Sequence, residues 1–174
     1  QWLEFASPES LSLYMYQNHK RAKKLYREVV PKAMDEYLEY IEKGKNQSDL
    51  EKLMNPVWHV HNGTIPNEKI IMSFSMLLNL VETSNADNKK LLWKFVKKYK
   101  QDIKEDEHPI FDNLINYAIK YFNDVIKTKN VYKTPNENEK GALNALIKSL
   151  DNCNDDMAPE ELQTNIFTVG KENG

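Results

Sequence analysis

Two lysine-rich stretches hold the side chains with the clearest chemical potential. Lys89 to Lys100 contains six lysines and no acid. Laid on a helix, Leu91, Leu92, Phe95, Val96 and Tyr99 share a face, which predicts that Lys90, Lys94, Lys97 and Lys100 point outward together with Trp93, with Lys98 beside them. Ammonium groups neutralise phosphates, and an outward indole offers a stacking face worth about 1–3 kcal/mol per base. The second stretch, Lys20 to Arg27, carries five basic residues in eight, and Lys20, Arg21, Lys23 and Lys24 are its candidate phosphate contacts. Both have a plainer reading as solvated charge, with Trp93 tucked against the next helix.

Other chemistry finds less support. His59 and His61, if extended, face one side and could begin a metal site, but no further ligands lie near them and zinc needs three or four. Asp102, Glu105, Asp106 and Glu107 read as a solvated run in an interhelical loop rather than a magnesium site. Cys153 has no basic neighbour to activate it. A Gly-rich phosphate loop, a Ser/His/Asp set and a dinucleotide fingerprint are all missing from the sequence. The expectation is a non-catalytic binding module, with no catalytic residue, metal or cofactor of its own.

The elements that must position these lysines read as helices. Ile70 to Val81 is the most apolar run, and on a helix Ile70, Phe74, Leu77 and Val81 share one face. Its packing partners repeat every three or four residues: the 91–99 set, then Phe111, Leu114, Ala118, Tyr121, Phe122 and Val125, then Ala142, Leu143, Leu146, Ile147 and Leu150. Helices are predicted at about 72–84, 88–100, 109–127, 135–150 and 159–169, three with start signals at His108-Pro109, a capping box from Thr134, and Ala158-Pro159. Upstream, Ser7-Pro8-Glu9 opens a short helix, an extended basic piece follows, and Pro31 opens a second helix that Gly44 ends. The fold class is all-α: a helical bundle or cage (67–174), a connector (58–66) and a small helix-extended-helix region (1–57).

Composition narrows the function classes only partly. With 24 basic and 26 acidic residues the formal charge is -2, which argues neither for nor against nucleic acid. A lone cysteine allows no internal disulfide and suits a reducing compartment. No run approaches the roughly 18 apolar residues that cross a bilayer, so a cytoplasmic protein without a membrane partner is expected. The start at Gln1 and the stop at Gly174 are taken to mark a piece of a longer protein.

Several stretches resemble the class I type of lysyl-tRNA synthetase: Trp2-Leu3-Glu4-Phe5-Ala6-Ser7-Pro8-Glu9-Ser10-Leu11, Met15-Tyr16-Gln17, Val30 to Tyr37, Asn55 to Gly63, Ser73 to Val81 and Glu161-Leu162-Gln163-Thr164. The resemblance implies the tRNA-binding part that follows the KMSKS-like motif, with residues 1–57 as stem-contact region and 67–174 as an anticodon-binding cage, incomplete at its end. It implies tRNA(Lys) and the absent catalytic domain as partners, and ATP and Mg used only by the parent enzyme. The basic residues named above are electrostatic candidates and do not come from the family. The reading from another class is a helical scaffold for protein partners without nucleic-acid binding.

Overall fold

The computed structural model describes residues 1–17, 19–100, 103–129, 133–153 and 157–173. Among the described residues no strand occurs and nine α-helices follow one another, in agreement with the all-α expectation. They are α1 (Pro8–Tyr16), α2 (Val30–Lys45), α3 (Asp49–Lys52), α4 (Pro56–Val60), α5 (Phe74–Ser84), α6 (Lys89–Tyr99), α7 (Pro109–Tyr121), α8 (Glu137–Asp151) and α9 (Pro159–Asn173). The chain divides into two compact units, Gln1–Asn130 and Val131–Gly174.

Local chemistry sets the helix starts. Ser7, Ser73 and Asn88 each accept a hydrogen bond from the backbone N–H three residues on, satisfying a donor that a helix start leaves unpaired. The apolar run from Ile70 breaks for this reason: Ser73 caps α5, so Ile70, Ile71 and Met72 precede the helix rather than forming its first turn. Gly44 does not end α2, which continues to Lys45; it is buried, and a Cβ there would collide with the Ile65 side chain. The capping box of α8 is Asn136 with Glu139, two residues later than a start at Thr134. Beyond α7 the chain continues through a π-helical turn, Phe122–Ile126.

One core fills the first unit. Phe5 and Leu13, Met34 and Ile41 of α2, Phe74, Leu77 and Val81 of α5, Leu92 and Val96 of α6, and Phe111, Leu114 and Ile115 of α7 all belong to it. The end of α4 runs into the stretch read as a connector, and Val57 of that helix is fully buried in the same core. Carboxylates fasten the long link between α4 and α5. Asp35 of α2 accepts from the Phe74 and Ser75 N–H groups, and Glu42 of α2 accepts from Ile70 N–H at 2.8 Å. Glu68, within the link, accepts from Ile110 N–H at 2.7 Å and Phe111 N–H at 2.8 Å, so it caps α7. The C-terminal hairpin of α8 and α9 forms the second unit, and no residue of α8 is buried.

Candidate nucleic-acid interface

The α6 lysines separate into two groups once the helix is seen in place. The residues facing the core are Leu92, Trp93 and Val96, which turns the helix from the orientation its apolar residues suggested. Trp93 is therefore not an outward stacking platform. It is 1% exposed, its ring meets Phe111 edge-on at 5.4 Å, and its Nε1 donates to Asp112 Oδ1 at 3.0 Å. The physical cause is α7: Phe111 supplies an apolar wall and Asp112 an acceptor for the indole N–H, which a buried tryptophan requires. Tyr99, expected inside, is 72% exposed and is the outward aromatic of this helix.

Turning the helix also redistributes its charges. Lys89 pairs with Asp112, so that one carboxylate holds both an ammonium and the indole. Lys100 donates to the Ile71 carbonyl at 2.8 Å and fastens the link rather than presenting its charge freely. Lys97 pairs with Glu105 at 2.8 Å, with its side chain still 43% exposed. An exposed pair of that kind is worth at most about 1 kcal/mol and is readily exchanged for a phosphate. Lys90, Lys94 and Lys98, spaced four residues apart, share one exposed face and have no acidic partner among the described residues.

The first basic stretch is held in place by the helix before it. Tyr14 Oη donates to the Lys24 carbonyl at 3.2 Å, and the Lys23 ammonium donates to the Tyr14 carbonyl while lying 4.5 Å from that ring's centroid. Further on, Tyr121 Oη donates to the Arg27 carbonyl at 3.1 Å. Lys23 thus serves the loop, whereas Lys20, Arg21 and Lys24 are exposed. Tyr26, also exposed, lies beside Lys24, whose ammonium is 5.8 Å from its ring. The sequence reading missed Tyr99 because apolar periodicity placed it inward, and Tyr26 because it lies in a piece read only as extended and basic; their position next to lysines was the available signal.

The histidines are not extended side by side: His59 lies in α4 and His61 follows its last turn. His59 Nε2 bonds the Leu53 carbonyl, and His61 Nε2 is 2.9 Å from Tyr37 Oη. Burial lowers the His61 pKa, opposed by the Glu9 charge. Among the described residues no group of three or more His, Cys, Asp or Glu is placed to hold a metal. Asp102 of the acidic run lies outside the described residues. Cys153 Sγ donates to the Ser149 carbonyl within the hairpin.

Residues 1–64 match the family model of class I tRNA synthetases (K). The lysine–tRNA ligase of Roseobacter denitrificans is 39% identical over 172 residues, which is 99% of this chain and 33% of that protein. The chain is homologous to a C-terminal part of the lysine–tRNA ligases. The enzymes of Rickettsia conorii and Rickettsia bellii are 37% and 35% identical over 175 residues, again 99% of the chain. The chain spans about a third of the length of these ligases. No solved structure matches it. Among the described residues no helix is long and apolar enough to cross a membrane.

Proposed function

We propose that this chain is the tRNA-gripping part of a cytoplasmic lysine–tRNA ligase, and that the ATP- and magnesium-dependent joining of lysine to tRNA(Lys) is performed by the rest of such an enzyme. The observation that carries the reading is similarity to lysine–tRNA ligases along 99% of the chain. Two sets of exposed cations support it: Lys20, Arg21 and Lys24 after α1, and Lys90, Lys94 and Lys98 along α6. In this reading the first 57 residues lie along the inner curve of the tRNA, and residues 67–174 hold its anticodon end. The protein's work is orientation: phosphate contacts fix where the tRNA lies, and rigid helices transmit that position to the acceptor end.

Titrating the chain with a tRNA(Lys) transcript at two salt concentrations tests the reading. Affinity should fall steeply with salt, because each neutralised phosphate releases a counterion. Replacing Lys90, Lys94 and Lys98 together by Gln should weaken binding about tenfold or more and flatten the salt slope. Undetectable binding at low salt would overturn it. A second reading, a helical surface for protein partners, is favoured by the exposed Leu143, Ile147 and Phe167 of the hairpin; it predicts no tRNA affinity at any salt concentration.

A further inference from the structure

A cavity of about 340 Å³ in the first unit serves neither lysine set. It opens where the start of α1, the middle of α2, His61 and the first half of α7 come together. Met34 and Leu114 give it an apolar lining, and Glu9, Asn113 and Tyr117 bring polar groups to it. That combination, a mostly apolar recess with a few placed polar groups, is the usual build of a small-molecule site.

The charge of the lining restricts what it can take. No lysine or arginine lines the cavity, so a phosphate or carboxylate group would enter against Glu9 with nothing to match it. Glu9 itself is half-buried and has no hydrogen bond or ion pair among the described residues. Its charge reaches the groups around it: together with burial, the larger effect, it raises the hydroxyl pKa of Tyr37 and Tyr117. The Asn113 and Tyr117 side chains have no hydrogen-bond partners among the described residues either, whereas Tyr37 and His61 satisfy each other. Glu9, Asn113 and Tyr117 thus bring unshared acceptor oxygens to one recess.

We infer that this cavity binds an aliphatic primary amine, its ammonium donating to Glu9, Asn113 Oδ1 and Tyr117 Oη and its carbon stem lying on Met34 and Leu114. An ammonium has three N–H donors and no acceptor, which suits a carboxylate flanked by a carboxamide oxygen and a phenol. A divalent metal fits poorly, because calcium takes six to eight oxygen ligands and one carboxylate anchors few of them. A free amino acid is disfavoured too, since its own carboxylate finds no cation here. The inference is independent of tRNA binding.

Calorimetric titration of the chain, without tRNA, with 1,5-diaminopentane tests it, with pentan-1-ol as the uncharged control. The diamine should saturate one site at about millimolar concentration, and pentan-1-ol should not bind. Glu9→Gln should weaken binding about tenfold or more, and Asn113→Ala, at an exposed position, by a few-fold. Absence of saturation, equal binding of pentan-1-ol, or undiminished affinity in the folded variants overturns the inference. Should Glu9→Gln prove unfolded, Asn113→Ala and Tyr117→Phe decide, and unchanged affinity in both counts against the site.

Discussion

The first unit and the C-terminal hairpin are both helical, yet they are helical for different reasons. In the first unit each long helix sends a stripe of side chains into a shared interior, and Phe74, Leu77, Val81, Leu92 and Val96 have 0% exposure. In the hairpin Leu143, Ile147 and Phe167 are 50%, 56% and 73% exposed, and order rests on local devices: the Asn136–Glu139 capping box, short-range Lys–Glu pairs, and a Ser149–Asn165 hydrogen bond of 2.8 Å. Capping and pairing each contribute on the order of 1 kcal/mol or less, whereas burying one large side chain contributes several times that. Helical periodicity in a sequence therefore predicts helix in both regions, but it does not tell a core face from an open one.

Substitutions can sharpen this contrast. The largest effect is expected for Trp93→Ala, which empties a fully buried site and leaves Asp112 without its indole donor; it should cost about 3–5 kcal/mol in denaturant unfolding. Ile147→Ala, at an exposed position, should change unfolding by less than about 0.5 kcal/mol, and a larger loss would mean that the hairpin has a core of its own. Second in size to Trp93→Ala is Glu68→Ala, which strips two backbone N–H groups of α7 of their acceptor and should cost about 2–3 kcal/mol. Asn136→Ala should cost about 1 kcal/mol, visible as faster amide exchange in the first turn of α8 and unchanged exchange in α5.

The smallest expected effect depends on pH. Burial depresses the His61 pKa below its ordinary 6.5, so the unfolded chain binds the proton more readily than the folded one. The contribution of this group is then complete above pH 6.5 and is lost as pH falls through the folded value. His61→Gln should flatten the decline in stability between neutral and mildly acid pH. An unchanged pH profile would show that the Tyr37–His61 pair does not depend on the neutral ring.

Most helices and their starts were legible in the sequence, because Ser7, Pro8, Pro109 and Pro159 are signals written into the nearest residues. The rotation of α6 was not, since Leu91, Leu92, Phe95 and Val96 offer two overlapping apolar stripes and only the approach of Phe111 and Asp112 selects between them. The lysines of the candidate interface were found by composition, but which of them are engaged in structure depends on partners outside the helix: Lys89 on Asp112, Lys97 on Glu105, Lys100 on Ile71. Nothing near them in sequence marks Asp35, Glu42 and Glu68 as anchors, because the backbone donors that they hold lie 28 to 43 residues away.

Those long-range bonds have a consequence for synthesis. Phe5 meets Tyr121 edge-on at 5.6 Å, Tyr121 Oη reaches the Arg27 carbonyl, and Lys129 pairs with Glu28 at 2.6 Å. Phe5 leaves the ribosome more than a hundred residues before Tyr121, so it must wait for the stretch around 121–129 before these neighbours exist. Until then Phe5 lacks its Tyr121 neighbour, a window in which a chaperone, or aggregation, would find it.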